Sequence, residues 1–403
     1  MESRLNSYRF SPVNHVPRAA GQRISVMHLI HTMAYGGIET AVINWLRKLD
    51  RTRFDVSLVC FENPGETEAP FVEAAMRAGL HVEKIPWHRR KPLLKSSRRL
   101  VKLIRGHKVD ILHTHNCYAD CVGAIASRLV PVKTIATVYV WADYDWKRNM
   151  IQAIDKVVLR WFDRVTAHCE DTQRKSGKLG RFPGGVDTLI CGFETRRVAM
   201  CEQERQRRRR DLGVADDEIV LGNVARLYPE KAHDSLLRCF KTILSQHPKT
   251  RLWISGVGPL EPAIRSQCST LGLKDRVRFL GFVEDLPSEM RLLDIQVHPS
   301  HIEGVPLALC EGMAAGLPVV ASAVGGIPEI LNHGASGVLV RPGDEQGFAQ
   351  AVVRLINNPQ ERVRLGLAAR HFMENDYSLD TAVSRVQQTY YEMMGLCESA
   401  SLS

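Results

Sequence analysis

The sequence has no apolar run approaching the roughly 18 residues that cross a bilayer as a helix. Its first twenty residues carry Arg, Asn and Pro and no apolar core, so residues 1–20 are expected to be a short disordered tail and not a secretory signal. There is no Cys-x-x-Cys among the ten cysteines, and they follow no pairing rhythm. Cys60, Cys239 and Cys310 lie inside apolar runs, where a free thiol packs as a small hydrophobe. That usage fits a reducing cytoplasm and excludes a disulfide scaffold. Aromatic residues make up only 7% and do not interleave with the basic ones, and no nucleic-acid-binding motif occurs, so nucleic acid is not an expected partner.

What is present is a 403-residue chain with 44% hydrophobic and 24% charged residues, long enough for two α/β domains with separate cores. The formal charge of +10 is unevenly placed. Residues 1–213 hold 37 Lys and Arg against 22 Asp and Glu, and the remainder is net acidic. An anionic surface or acceptor near the first half follows. In that half, 24–29, 55–61, 110–113, 134–140 and 164–167 read as strands, with helical spacing over 40–49, 71–78, 93–105 and 118–129. The second half repeats the alternation, with strands at 219–225, 250–255, 277–280, 295–299 and 318–321 and helices including 235–246 and 263–271. Alternating β and α predicts two parallel, doubly wound sheets. The polar stretch 195–211 lies between them. Its run Arg207-Arg208-Arg209-Arg210 reads as a solvated helix face or an anion contact.

The densest chemistry lies in Glu303-Gly304-Val305-Pro306-Leu307-Ala308-Leu309-Cys310-Glu311. Two glutamates eight positions apart can face one cleft if Glu303 sits in a loop and Glu311 on the helix after it. Such a helix N-terminus offers backbone N–H groups to a phosphate, and the carboxylates can accept hydrogen bonds from sugar hydroxyls. This segment stands in order with His31-Thr32-Met33-Ala34-Tyr35-Gly36-Gly37-Ile38-Glu39, Asp110-Ile111-Leu112-His113-Thr114-His115, Gly222-Asn223-Val224-Ala225-Arg226-Leu227 with Lys231, Gly256-Val257-Gly258-Pro259-Leu260, Val277-Arg278-Phe279-Leu280-Gly281-Phe282-Val283 and Gly325-Gly326-Ile327-Pro328-Glu329-Ile330. In that order the pieces resemble the family 4 glycosyltransferases, retaining enzymes of the GT-B fold, over residues 24–395.

The resemblance implies two Rossmann-like domains facing across a cleft. The first, acceptor-binding, would span 21–195, a linker 196–215, and the donor-binding domain 216–376. A helix over 377–396 would cross back to the first domain. Glu303, Arg226 and Lys231 would be catalytic, Glu303 beside the donor sugar and the two cations on the diphosphate. Two cations there stabilise charge building on the leaving group. Glu311 would hold the ribose, Gly304, Val305, Pro306 and Leu307 the distal phosphate, and Gly281, Phe282 and Val283 the base. Gly36 and Gly37 would let the backbone approach the donor. No metal and no cofactor is expected, since the nucleotide-sugar is a substrate.

Other residues read in more than one way. His113 and His115 lack an acidic or Cys partner at ligand spacing, so an acceptor-side or packing role is expected instead of a metal. Tyr139 stands where many relatives have a histidine, and a phenol is a poor base at neutral pH. Cys191 likewise replaces a common Asn. Asp143-Tyr144-Asp145 is a DxD, and it reads either as two aspartates close by chance or as an acceptor contact at Asp143, since the duplicated architecture argues against the metal site of the other large glycosyltransferase fold. Residues 88–108 carry nine basic side chains, Arg89, Arg90, Lys91, Lys95, Arg98, Arg99, Lys102, Arg105 and Lys108, around an apolar stripe. That stripe packs on the first sheet, and the basic face is either merely solvated or held against anionic lipid. The expected activity is transfer of a sugar to a glycan or polyprenyl-linked acceptor, in polysaccharide biosynthesis, from the cytoplasm or the inner face of the membrane. The alternative is a non-catalytic nucleotide-sugar-binding partner of another transferase.

Overall fold

The structure, a computed structural model, describes residues 22–32, 36–62, 65, 68–87, 92–140, 146–178, 185–194 and 201–396, excepting the side chains of 147 and 148. The sequence-expected tail, Asp143 and Asp145, and Arg89–Lys91 lie outside them.

The first sheet has seven parallel strands: β1 (Ile24–Ile30), β2 (Phe54–Glu62), β3 (Val82–Pro86), β4 (Ile111–His115), β5 (Lys133–Val138), β6 (Arg164–Ala167) and β7 (Val186–Thr188). Their order is β3-β2-β1-β4-β5-β6-β7. All seven residues of β1 are buried, as a central strand covered on both faces requires. The helices of this half are α1 (Gly37–Lys48), α2 (Ala69–Arg77), α3 (Leu93–Gly106), α4 (Cys117–Ser127), α5 (Trp146–Val158) and α6 (Glu170–Gly177). Trp45 and Leu46 of α1 and Phe71 of α2 cover one face. Leu100, Val101 and Ile104 of α3 and Val122 of α4 cover the other. The stripe expected on residues 93–105 therefore packs on the sheet. Each such side chain contributes on the order of 1.5–3 kcal/mol when fully buried.

The second sheet has six parallel strands, β8 (Ile219–Val224), β9 (Thr250–Ser255), β10 (Val277–Gly281), β11 (Ile295–His298), β12 (Val319–Ser322) and β13 (Val338–Val340), in the order β10-β9-β8-β11-β12-β13. Its helices run from α7 (Glu202–Asp211) through α8 (His233–Gln246), α9 (Glu261–Thr270), α10 (Leu286–Met290), α11 (Leu307–Ala314), α12 (Ile327–Ile330), α13 (Glu345–Asn357) and α14 (Pro359–Asn375) to α15 (Leu379–Met394). Two Rossmann-like halves therefore face one another, as the resemblance implies. In each sheet the order reverses once, between β1 and β4 and between β8 and β11. Ligands in such sheets bind beyond the carboxyl ends of the strands at that reversal.

The arginine run on α7 is not uniformly solvated. Arg207 and Arg210 are exposed, but Arg209 is only 4% exposed. Its guanidinium donates to Leu292 O at 3.0 Å, Asp294 Oδ2 at 2.9 Å and Glu218 O at 2.6 Å. Arg205 donates to Asp294 Oδ1 at 2.7 Å. Together they clamp α7 to the second sheet. At the other end, α15 packs on α1 of the first half, buried along Val383, Val386 and Tyr390. The chain enters α15 beside Phe193, whose N–H donates to Tyr377 O at 2.9 Å and whose carbonyl accepts from Leu379 N at 2.9 Å.

Candidate active site

The strands at the second reversal carry the charged groups. β8 leads into Arg226 and then a 3-10 turn over Pro229–Lys231. β11 ends on His298, and five residues later comes Glu303. Both loops leave the same end of the sheet because the strands are parallel neighbours. They converge on one carboxylate: Glu303 Oε1 accepts from Lys231 Nζ at 2.7 Å and from His298 Nε2 at 2.6 Å. The Glu303 side chain is 5% exposed. Burial alone disfavours its charge, but His298 and Lys231 outweigh that and hold the carboxyl down at about 2.

The backbone around Glu303 is fixed by close approach. Gly325 has φ +55°, and a Cβ there would lie 1.9 Å from Glu303 O. A Cβ on Gly304 would meet Tyr139 O of the first half at 2.9 Å, so only glycine lets the two halves meet here. Gly326 N donates to Gly304 O at 2.9 Å and pins the loop. Pro306 then caps α11 with no side-chain hydrogen bond, and its carbonyl accepts from Leu309 N at 3.0 Å and Cys310 N at 3.2 Å, which leaves the amides of Leu307 and Ala308 without an intrahelical acceptor. Glu311 lies on the second turn of α11, and burial pushes it up to about 7.

From the first half, Gly36 and Gly37 open α1 directly after β1. Gly37 approaches Leu307, which a Cβ would reach at 3.1 Å. Glu39, in the first turn, folds back on this helix start. Its buried carboxylate accepts from the backbone N–H of Gly36 and from its own, and from the Thr32 hydroxyl. Burial raises it above the usual carboxylate range against those bonds and against the charge of Arg226 across the cleft. Arg226 is the accessible cation of the site, with a side chain 64% exposed, 3.7 Å from Glu230 and stacked over Tyr228 at 4.9 Å.

Two family models divide the chain. The "Glycosyl transferase 4-like domain" matches residues 36–192 and "Glycosyl transferases group 1" matches residues 204–372. The D-inositol 3-phosphate glycosyltransferase of Geodermatophilus obscurus is 31% identical over 375 residues, covering 88% of this chain and 81% of that protein. The chain belongs to the group 1 glycosyltransferases. A second relative is the UDP-Gal:alpha-D-GlcNAc-diphosphoundecaprenol alpha-1,3-galactosyltransferase of Escherichia coli, 25% identical over 394 residues, with 94% of this chain and 99% of that one covered. Anabaena HepE in complex with UDP superposes with a TM-score of 0.81 at 22% identity, covering 92% of this chain and all of that one, which shows the shared GT-B fold.

In this glycosyltransferase, Arg226, Lys231, Glu303 and Glu311 stand around the second reversal, with Gly37 brought against Leu307. Gly281, with φ +66°, ends β10 and accepts from Gly256 N at 2.7 Å, and Phe282 beyond it is exposed. The acceptor-side candidates sit differently. His113 and His115 are fully buried under the cleft, and His28 of β1, which no spacing in sequence links to them, joins them within 4.8 Å.

Donation in one direction along a chain of contacts satisfies this whole group, as does its reverse. In the first, Tyr139 Oη donates to His115 Nδ1 at 2.8 Å, and His115 Nε2 to His28 Nδ1 at 2.9 Å. His28 Nε2 donates to Tyr390 Oη at 2.8 Å, and Tyr390 Oη to His113 Nδ1 at 2.8 Å. His113 Nε2 then donates to Thr137 Oγ1 at 2.7 Å, and Thr137 to Thr166 at 2.8 Å. Every ring nitrogen has its partner with each imidazole neutral. Burial agrees, lowering His28 to about 3 and His113 and His115 well below their usual value. Three imidazoles this close match the ligand type for zinc, but a metal would have to displace these bonds, and among the described residues no carboxylate or thiol completes the set. Cys191, the other departure from the family pattern, contacts His168 Nε2.

Sequence reasoning missed His298, Glu39 and the Tyr390–His28 link. A signal existed for the first, a histidine closing a strand just before the Glu303 loop.

Proposed function

We propose that the enzyme transfers a sugar from a nucleoside-diphosphate sugar to a glycan or polyprenyl-linked acceptor, with retention of anomeric configuration, in cell-surface polysaccharide biosynthesis. The observation that carries the reading is the Glu303 carboxylate, kept ionised in a buried site by Lys231 and His298 at the strand reversal. A fixed negative group there can orient the donor sugar and stabilise positive charge developing on its ring. The exposed Arg226 suits the diphosphate. As the glycosidic bond breaks, negative charge grows on the leaving phosphate, and this cation with the α11 amides disperses it. In a same-face displacement the departing phosphate oxygen takes the proton of the acceptor hydroxyl. No side-chain base is then required, which accommodates Tyr139, whose hydroxyl is turned to His115. Arg226 and the amides together do the neutralising that a divalent ion does elsewhere, so no metal enters this scheme. Glu311, on the next turn of α11, suits the ribose hydroxyls of the donor.

Among the described residues no helix is long and apolar enough to cross a membrane. We place the enzyme on the cytoplasmic side, where nucleotide-sugars and a lipid-linked acceptor can meet. Thermal-shift measurements with uridine- and guanosine-diphosphate sugars test donor binding, since a ligand of the folded state alone raises the melting temperature. Release of nucleoside diphosphate from the stabilising donor then tests catalysis. A chain stabilised by a donor that releases none of it, with or without acceptor lipid, would be a binding partner and not a transferase.

A further inference from the structure

A helix on a sheet normally turns its apolar stripe inward. The helix α5 is apolar on both sides. Val158, with Leu159 and Phe162 just beyond it, packs inward against α4 and β5. Trp146, Met150, Ile154, Val157 and Trp161 recur at helical spacing on the outer side, all exposed, Trp146 by 70%. Ala153 continues the same face, and Arg160 is the exposed charge at its end. Contiguous apolar surface of this kind marks an interaction site.

The patch continues onto its neighbours. The Arg128 guanidinium, just past α4, stacks over the Trp161 ring at 5.2 Å, and Leu129 beside it is exposed. Arg105 of α3 donates to Leu129 O at 3.2 Å. From there the outer face of α3 runs through exposed Lys102, Arg99, Arg98 and Lys95, with Leu94 exposed at its start. The helices α3, α4 and α5 form one layer on the first sheet. No exposed carboxylate is carried on any of the three, since their acidic residues, Asp120 and Asp155, are buried.

We propose that this layer is the surface by which the enzyme lies on an anionic lipid bilayer, with the apolar face of α5 inserted at the headgroup boundary and the basic face of α3 beside it. Charge and apolarity select this occupant. A row of cations beside apolar side chains, with a tryptophan at each end, matches an interface that is anionic outside and hydrocarbon within. A protein partner of ordinary mixed charge has no use for a layer free of exposed carboxylates. The N-terminal end of α5 follows the carboxyl end of β5, so Trp146 stands on the cleft side of the domain. A polyprenyl-linked acceptor would then reach the cleft without leaving the bilayer. That last step rests on the proposed transferase reading, whereas the docking itself does not.

The test is co-sedimentation of the full chain with vesicles of phosphatidylcholine alone or mixed with phosphatidylglycerol, at low and high salt, without donor or acceptor. Binding is expected to be on the order of tenfold or more tighter to the anionic vesicles. Ile154→Glu and Val157→Glu are each expected to weaken it by about tenfold or more, as insertion of a charge at the headgroup boundary requires. Arg98→Glu with Arg99→Glu should abolish the preference for anionic lipid. These positions are exposed, so melting temperature and donor-induced thermal shift should stay at wild-type values, which separates lost docking from lost donor binding. Wild-type binding by both acidic α5 variants, or equal binding to both vesicle types, would overturn the proposal. So would absence of vesicle binding with a concentration-dependent dimer, in sedimentation velocity, that Ile154→Glu dissolves, since the occupant would then be a second copy.

Discussion

Replacing Glu303 by Gln removes a charge while keeping its shape, and two independent consequences can be worked from the structure. The carboxyl falls from an ordinary 4.5 to about 2 in the folded protein. At 1.36 kcal/mol per unit that difference corresponds to about 3 kcal/mol of stability. The sign follows from linkage: a depressed acid stabilises the fold fully above 4.5 and loses that contribution as pH falls through about 2. Glu303→Gln should therefore unfold about 3 kcal/mol more easily in urea at neutral pH, with the gap to wild type closing as the pH drops below 4.5. On the proposed mechanism, turnover at saturating donor should also fall by on the order of 10²-fold, the loss expected for one preorganised charge. Nucleoside-diphosphate release measures the second effect. Near wild-type turnover would remove Glu303 from the chemistry. A stability gap that stays constant from neutral pH to about pH 3 would refute the claim that Lys231 and His298 hold it ionised.

Five other outcomes are expected. EDTA should leave transfer intact, and a complete loss reversed by Mn²⁺ or Mg²⁺ would revive Asp143 and Asp145 as a metal site. Glu311 is raised to about 7, so its ionisation costs stability as pH rises from 4.5 through 7; Glu311→Gln should be more stable than wild type near pH 8 by about 3 kcal/mol, equal to it below 4.5, and raise the donor KM more than it lowers kcat. Tyr390→Phe leaves one imidazole donor and one acceptor unmatched, and should cost about 2–4 kcal/mol in thermal denaturation with donor KM unchanged. Arg226→Ala should raise donor KM with little change in melting temperature, whereas Lys231→Ala should lower both kcat and melting temperature.

The alternation of strands and helices was legible because the inner strands are short runs rich in apolar and β-branched residues. Thr250–Ser255 and Arg164–Ala167 run between the residues expected, and Ile24–Ile30 differs by one. The edge strands β3, β7 and β13 escaped for the opposite reason. They are short and mostly half-exposed, as Val82–Pro86 with its Glu83 and Lys84 shows, so no apolar pattern marks them. The site divided in the same way. Glu303 and Glu311 each stand directly before a glycine, and Arg226, with Lys231 five positions on, follows the apolar end of β8. The network of His28, His113, His115, Tyr139 and Tyr390 has no such mark, because its longest link spans 362 residues and exists only once α15 has crossed back. Arg209 of α7 misled because its charge was read without the half-buried carboxylate, Asp294, that receives it.

The two cations that follow β8 look interchangeable in sequence, and the fold makes them unlike. Lys231 is committed: its ammonium is mostly buried and bonded to Glu303, so its charge is spent on keeping that carboxylate ionised. Arg226 keeps a mostly exposed guanidinium, tethered only by a long contact to Glu230 and the face of Tyr228. A guanidinium is weakly hydrated and planar, suited to grip two phosphate oxygens at once. It is also the group whose charge reaches Glu39 across the cleft. On the proposed reading, a bound diphosphate would therefore compete with Glu39 for Arg226, and the cation that would draw the donor in also faces the first domain. The difference arises from position alone. Four residues of chain lie between the two, and the 3-10 turn that ends on Lys231 sends its side chain under the Glu303 loop and leaves Arg226 at the mouth.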